Sequence, residues 1–316
     1  RGRDTEWIRK SLNRPSQLEA TEEKEAVAAI VKEVRSRGDA ALLEYSLRFD
    51  QTEMKSPENM VVREEEIQEA YDRADPRFIE ILKEAAERIR RFHERQKQNT
   101  WITFEEDGVL LGQKITPMER VGVYVPGGRA AYPSSVLMNV IPARVAGVKE
   151  IIMATPPKER KIDPAVLAAA KVAGADKISR VGGAQAIAAF AFGTETIPRA
   201  DKIVGPGNIY VALAKREVYG YADIDMIAGP SEVLIVADET ARAFYVAADL
   251  MSQAEHDPMA SAILITDSEK LILQVRQELA RQMQNLPLKD TIRSSLSRYG
   301  ACILVDSVGE AVKLSN

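Results

Sequence analysis

The segment VGVYVPGG at residues 121–128 indicates the fold class, because a run of strand-forming residues ends there in a proline and two glycines. Two later segments repeat this pattern, ISRVGGAQ at 178–185 and KIVGPGN at 202–208. Each one reads as a strand, then a glycine turn, then the start of a helix. Strands that alternate with helices are typical of a parallel sheet, which places all three turns at its carboxyl edge.

Helices and further strands are predicted on both sides of these segments. Residues 21–38 read as an amphipathic helix, and a second helix over 75–98 has a buried side predicted to contain Phe78, Ile79, Ile81, Leu82, Ala85, Ile89 and Phe92. The dipeptide Asp107-Gly108 predicts a hairpin turn. Additional strands are predicted at 151–154, 177–181, 233–236, 262–266 and 302–305. We therefore expect an α/β fold, a parallel sheet covered by helices with a helical N-terminal region.

Composition narrows the classes of function. The 316 residues contain 43 Lys plus Arg against 47 Asp plus Glu, a balance that argues against nucleic acid as a partner. The single cysteine excludes internal disulfides and cysteine-based zinc fingers, and two histidines leave little imidazole chemistry. No stretch predicts a targeting signal or a membrane span, so we expect a cytoplasmic protein without a membrane partner.

The glycine turns favour a ligand that carries phosphate. Glycine lets a ligand approach the backbone closely, and helix N-termini offer free N–H groups to phosphates. No turn fits the dinucleotide fingerprint or the Walker A motif, and an ordinary strand-to-helix connection is the simpler explanation of any one turn taken alone. The pattern therefore indicates a phosphate- or nucleotide-bearing ligand without naming it. A fourth turn at 229–231 offers the hydroxyl of Ser231 to the same neighbourhood.

Gln253 and His256 are the pair placed best for metal chemistry. They lie three residues apart at the end of a helix predicted to begin near Thr240 and to stop before Pro258, so their side chains share one face. Histidine is a common zinc ligand and glutamine an unusual one, which leaves a metal site and a polar helix end both open. The other histidine, His93, lies on a helix with no second ligand nearby and is predicted to be structural or exposed.

Cys302 lies in the apolar segment GACILV at 300–305. A buried, inert thiol in a strand is the first interpretation. A catalytic nucleophile is the alternative, although no histidine is placed to activate the thiol.

Five motifs together resemble the histidinol dehydrogenase family. They are VGVYVPGG at 121–128, VGGAQAIA at 181–188, VGPGN at 204–208, IAGPSE at 227–232 and DLMSQAEH at 249–256, in the order and spacing of the family. The resemblance implies an NAD-dependent, zinc-containing enzyme that oxidises L-histidinol through histidinal to L-histidine and reduces two NAD. It implies that Tyr124, Gln185 and Asn208 contact NAD.

The resemblance also implies the substrate and metal residues. Ser231, Gln253 and His256 are expected to contact L-histidinol, and Gln253 and His256 are expected to bind zinc. The family forms homodimers of two Rossmann-like domains. That implies an N-terminal arm over 1–20, a first domain made of 21–120 with 234–316, and a second, NAD-binding domain over 121–233.

One departure from the family lies at the end of the sequence. The family carries a Glu-His acid/base pair shortly after a segment like that at 312–316, and an Asp and a His that bind zinc later still. The sequence stops at Asn316, so we expect no catalytic acid/base residue within it, poor zinc binding and no turnover of histidinol. Two other interpretations stay open: a nucleotide-binding paralogue without catalysis, and an aldehyde-dehydrogenase-like enzyme that uses Cys302.

Overall fold

The computed structural model describes residues 21–127, 131–158, 161–227 and 232–315. Contacts divide the described residues into two units, one within residues 17–228 and one within residues 229–316. Both contain parallel sheets flanked by helices, which confirms the predicted fold class. The assignment of 21–120 and 234–316 to a common domain stays a prediction. No helix within the described ranges is long and apolar enough to cross a membrane.

From Thr21 onward, four helices precede the sheets: α1 Thr21–Arg37, α2 Asp39–Asp50, α3 Glu64–Arg73 and α4 Pro76–Glu94, with a 3₁₀ turn at Pro57–Met60. Gly38, at a φ of 54°, separates the first two because the reversal requires a left-handed residue. Asp75 caps α4 by accepting a hydrogen bond from the backbone N–H of Arg77 at 2.7 Å.

The buried side of α4 is narrower than predicted. Ile79 and Leu82 are buried, but Ile81 and Phe92 are exposed, so these two assignments were wrong. Ile81 lies two residues from Ile79 and therefore points to the opposite side of the helix. Phe92 lies in the last turn of the helix, where its ring contacts the edge of the His93 imidazole.

The predicted hairpin is confirmed. Strands β1 Trp101–Phe104 and β2 Leu110–Gln113 pair antiparallel. Between them, Asp107 takes a φ of 64° and Gly108 a φ of 80°, which the sharp reversal requires.

The larger sheet has five parallel strands: β3 Arg120–Tyr124, β4 Glu150–Ala154, β5 Lys177–Ser179, β6 Lys202–Val204 and β7 Asp223–Ile224. Their order is β5-β4-β3-β6-β7, so the chain runs outward from β3 to β5 and returns to β6 on the other side of β3. The carboxyl ends of β3 and β6 therefore flank a topological switch point, where open α/β sheets bind ligands.

Both faces of this sheet are covered. The connecting helices are α5 Pro133–Val145, α6 Pro164–Ala173, α7 Gly183–Phe192 and α8 Ile209–Val218. A hydrophobic core lies on each face of the sheet. The side chains of β3 point alternately to the two faces, so Val121 and Val123 pack in one core and Tyr124 packs in the other. Helix α1 packs on α7 and α8, while α3 to α6 pack on the other face. This double coverage explains the nearly continuous apolar character of the strands.

The unit of residues 229–316 has a three-stranded parallel sheet in the order β10-β9-β8, made of β8 Glu232–Ala237, β9 Ser261–Thr266 and β10 Gly300–Leu304. Its helices are α9 Ala243–Ala254, α10 Glu269–Met283, α11 Lys289–Tyr299 and α12 Val308–Ser315. Cys302 is exposed, which corrects the prediction of a buried thiol. It lies on β10, an edge strand that pairs with β9 on one side alone within the described residues.

Candidate functional site

Tyr124 connects the three glycine turns of the larger sheet. Its hydroxyl accepts a hydrogen bond from the backbone N–H of Gly183 at 3.0 Å, in the turn after β5. Its carbonyl oxygen lies against Gly205, in the turn after β6, so closely that a Cβ on Gly205 would come within 2.0 Å of it. Burial raises the pKa of Tyr124 to about 12, and the charge of Asp50 adds to the rise while the Gly183 N–H opposes it. Tyr124 therefore stays a neutral phenol.

Gln185 lies in the first turn of α7, and its amide covers the backbone of Gly183. A Cβ on Gly183 would lie 2.7 Å from Oε1 and 3.4 Å from Nε2 of Gln185. The side chain is 1% exposed, yet its Nε2 has no hydrogen-bond partner. A buried amide nitrogen without an acceptor is unfavourable, and a ligand carbonyl, hydroxyl or phosphate oxygen would satisfy it.

Asn208 caps α8 from the turn after β6. Its Oδ1 accepts a hydrogen bond from the backbone N–H of Val211 at 3.2 Å, and the residue is exposed. The cap fixes the orientation of the amide and leaves its NH₂ group directed away from the helix backbone. Asn208 therefore offers a donor from an orientation that the fold has already set.

A buried ion pair holds the Gly205 turn. Lys215 is almost fully buried, and its Nζ contacts the Asp225 Oδ1 at 2.5 Å and donates to the Gly205 carbonyl at 2.5 Å. The other Asp225 oxygen accepts from the Gly205 N–H at 2.8 Å. Burial lowers the pKa of Lys215, and Asp225 opposes that shift. Both polar groups of the Gly205 backbone are thus satisfied from within the protein.

Sequence reasoning missed two acidic residues of this edge, Asp50 and Asp225. Asp225 directly follows β7, and a carboxylate after a strand in an α/β sheet was a signal that could have identified it. Asp50 ends a helix far from the glycine motifs in sequence, and no local pattern connects it to them. Ser231 and Gly128, both predicted to take part, lie outside the described residues.

Gln253 and His256 lie at the end of α9, in the other unit. The helix runs from Ala243 to Ala254, so it starts later than predicted and ends before His256. His256 lies in the following turn, where its backbone N–H donates to the Gln253 carbonyl at 3.2 Å. Gln253 is half-buried and His256 exposed. Together they offer one amide oxygen and one imidazole nitrogen, short of the four ligands zinc takes, and no group of three acidic, histidine or cysteine side chains suited to a metal occurs among the described residues.

Cys302 and His93 are poorly suited to catalysis. The surrounding protein raises the pKa of the Cys302 thiol by desolvation, and Arg276 opposes the rise weakly, so the thiol stays protonated near neutral pH. His93 Nδ1 lies 2.6 Å from Oε1 of Gln96 in a local contact at the end of α4, in agreement with the predicted structural role.

Comparisons with known proteins agree with the motifs. A family model described as histidinol dehydrogenase matches residues 13–316. A histidinol dehydrogenase of Geobacillus kaustophilus is 54% identical over 307 residues, which cover 97% of this chain and 72% of that protein. A histidinol dehydrogenase of Clostridium acetobutylicum is 51% identical over 314 residues, which cover 99% of this chain and 72% of that protein.

Solved structures give the same result. The crystal structure of histidinol dehydrogenase from Elizabethkingia anophelis has a TM-score of 0.90 at 39% identity and covers 99% of this chain and 71% of that chain. An NAD-dependent benzaldehyde dehydrogenase from Corynebacterium glutamicum has a TM-score of 0.50 at 12% identity, with 96% of this chain and 80% of that chain covered. The latter likeness shows a shared fold and nothing about activity.

Proposed function

The chain belongs to the histidinol dehydrogenase family, NAD-dependent oxidoreductases of histidine biosynthesis, and on that premise we propose that its three glycine turns bind NAD through Tyr124, Gln185 and Asn208. NAD supplies the hydride acceptor when bound, and the full reaction takes L-histidinol through histidinal to L-histidine with two NAD. The observation that carries the proposal is the unpartnered Gln185 amide, buried where Tyr124 joins two of the turns.

The residues of this edge fit a dinucleotide. The positive φ values of Gly183 and Gly205 let the Gln185 amide and the Tyr124 carbonyl pack directly against these two turns, because a Cβ at either glycine would clash with them. Helix α7 begins at Gly183 and α8 just after Asn208, so the N-termini of both helices lie at the same edge, where their positive dipole ends favour phosphate oxygens. Tyr124, locked by Gly183 and neutral, orients the ligand without adding charge.

Titration calorimetry with NAD tests this assignment. Gln185→Met removes the amide at nearly constant volume, and we expect its Kd for NAD to rise about tenfold through the loss of one buried hydrogen bond. Gln68→Met, on the exposed side of α3, is the control and should bind NAD like the wild type. Unchanged binding by Gln185→Met would remove Gln185 from the site.

Ser231, Gln253 and His256 are the residues we propose for L-histidinol. An imidazole-containing amino alcohol offers nitrogen donors and acceptors that an amide, an imidazole and a hydroxyl complement. We further propose Gln253 and His256 as two ligands of a zinc ion. The described residues do not complete its coordination, so no reaction step is derived through the metal. Zinc retained after dialysis, measured by atomic emission, should fall in His256→Ala.

A homodimer is the proposed assembly, and the β1–β2 hairpin supports it. Trp101, Phe104 and Leu110 are 52%, 81% and 59% exposed, although a two-stranded hairpin needs a packed apolar face to be stable. Sedimentation velocity should show a dimer that Phe104→Asp dissociates. A monomeric wild type at micromolar concentration would contradict the proposal.

A cytoplasmic location of the protein stays a prediction.

A further inference from the structure

Asp50 is a carboxylate in an unfavourable place. It is the last residue of α2, where the helix dipole disfavours negative charge. Its Oδ2 is buried without a hydrogen-bond partner. Burial raises the pKa of Asp50 to about 6, and the Gly182 N–H opposes this only in part. A carboxylate that the helix dipole and burial both disfavour, and that one N–H compensates only in part, is more simply explained by a ligand than by stability.

The surroundings of Asp50 are those of the glycine turn after β5. A Cβ on Gly182 would lie 3.2 Å from Oδ1 of Asp50, so the carboxylate faces the turn backbone directly. Its charge contributes to the raised pKa of Tyr124, whose hydroxyl contacts the next residue of the turn. Asp50 and Gln185 therefore bring an unpartnered acceptor and an unpartnered donor to one turn.

The position of that turn in the sheet indicates which part of a dinucleotide it meets. The turn follows β5, on the β4–β5 side of the switch point between β3 and β6. In dinucleotide-binding sheets of this strand order, that side holds the adenosine, and an acidic residue hydrogen-bonds its ribose. Here β4 is followed by Thr155, Pro156 and Pro157, none of them acidic. Pro156 instead packs against Gly182, where a Cβ would lie 2.5 Å from the proline Cβ.

We propose that Asp50 accepts a hydrogen bond from the adenosine ribose hydroxyls of the dinucleotide and sets the preference for NAD over NADP. The inference rests on the proposed NAD site. A carboxylate from a preceding helix takes the role that other folds give to an acidic residue after the second strand. It accepts from a free 2′-hydroxyl, and it repels the 2′-phosphate of NADP, which carries no proton to donate at neutral pH and adds negative charge beside a buried anion.

The test measures the Kd of NAD and of NADP by titration calorimetry at pH 7.5 for the wild type and Asp50→Asn. We expect the variant to bind NAD about tenfold more weakly and NADP no more weakly, so that the ratio of the two Kd values falls about tenfold or more. Asp39→Asn is the matched control. Asp39 begins the same helix, and its Oδ2 is also buried without a partner, but it lies about 16 Å away along the helix and contacts Thr196.

The outcomes separate this inference from the proposed site. A wild type that binds neither dinucleotide overturns the NAD site and the role of Asp50 together. A wild type that binds NAD, with the same ratio of Kd values in Asp50→Asn, overturns the role of Asp50 alone. A parallel loss of both affinities in Asp50→Asn, accompanied by a lower melting temperature of the free protein, identifies a structural residue and also overturns it. If Asp39→Asn changes the ratio of the Kd values of NAD and NADP as much as Asp50→Asn does, the role of Asp50 is overturned as well.

Discussion

The carboxyl edge of the five-stranded sheet and the end of α9 both carry residues that sequence motifs single out, but the fold treats them differently. At the sheet edge, Tyr124 and the Gly205 turn are fixed by buried contacts, and Gln185 and Asp50 keep polar atoms without partners. At the end of α9, His256 is exposed and its one described hydrogen bond is a backbone contact to Gln253 three residues away.

The two regions therefore support different kinds of binding. A ligand at the sheet edge meets groups whose orientation is set before it arrives, so little conformational entropy is lost. A ligand at the end of α9 must itself order the side chains that bind it. Substitutions at the sheet edge should therefore affect folding and binding together, and those at the end of α9 should affect binding alone.

The largest effect is expected for Gly205→Ala. The new Cβ would lie 2.0 Å from the Tyr124 carbonyl oxygen at a φ of 111°, so the clash and the backbone strain add. We expect a loss of about 4 kcal/mol in the free energy of unfolding, measured by urea denaturation. Gly220→Ala is the control, because Gly220 has a φ of 102° with nothing within 4 Å of its Cβ position, and should lose about 1 kcal/mol. Equal losses would show that the contact with Tyr124 is unimportant.

The second largest effect on the free energy of unfolding is expected for Lys215→Met. It leaves Asp225 without its buried partner and the Gly205 carbonyl without its donor, so we expect a loss of about 3 kcal/mol in the same measurement. Lys202→Met breaks the Lys202–Asp223 pair, whose side chains are 30% and 43% exposed, and should lose less than about 1 kcal/mol. A similar loss in both variants would mean that the buried Lys215–Asp225 pair stabilises the protein no more than the half-exposed Lys202–Asp223 pair.

Asp50→Asn should show a smaller effect that depends on pH. Since the native state raises the pKa of Asp50 from 3.8 to about 6, the wild type gains stability as this group takes up its proton and loses that gain as pH rises from about 4 to about 6. Asparagine does not titrate. The free energy of unfolding of the variant should therefore rise relative to that of the wild type between about pH 4 and pH 6. At pH 8 the difference should be about 2 kcal/mol once partial solvent screening is allowed for. A difference in the free energy of unfolding between the two proteins that stays constant from pH 4 to pH 8 would contradict this prediction.

The smallest effect is expected at the end of α9. Gln253→Ala and His256→Ala remove side chains that make no described hydrogen bond, so each should change the free energy of unfolding by less than about 0.5 kcal/mol. Differential scanning calorimetry without added metal is the measurement. A loss above 1 kcal/mol would show that this helix end is fixed by packing, and the contrast with the sheet edge would disappear.

Local sequence patterns predicted the order of the glycine turns and every parallel strand of the described residues except the two-residue β7, which is too short to leave a pattern. The alternation of apolar strands with helices predicted the parallel sheet, because a strand buried on both faces must be apolar throughout. Gly205 was found as a turn residue, but its contact with Tyr124 follows from the strand order β4-β3-β6. That order depends on the whole chain.

Errors came where burial depends on distant elements. Cys302 has the apolar neighbours of a core residue, yet it is exposed because β10 is an edge strand. Ile81 and Phe92 were assigned to the buried side of α4, although the elements packed there cover a narrower stripe. Asp50 was not identified because its role depends on α2 reaching a turn some 130 residues later in the chain.

Hydrogen–deuterium exchange with and without NAD will show whether the three glycine turns form one dinucleotide site. With saturating NAD, we expect slower exchange in peptides covering 124–127, 181–187 and 204–211, because a ligand bound at these turns suppresses their local opening. Peptides from the exposed side of α3, over 64–73, should not change. Protection at one turn alone, or protection confined to other parts of the chain, would contradict a site built from all three.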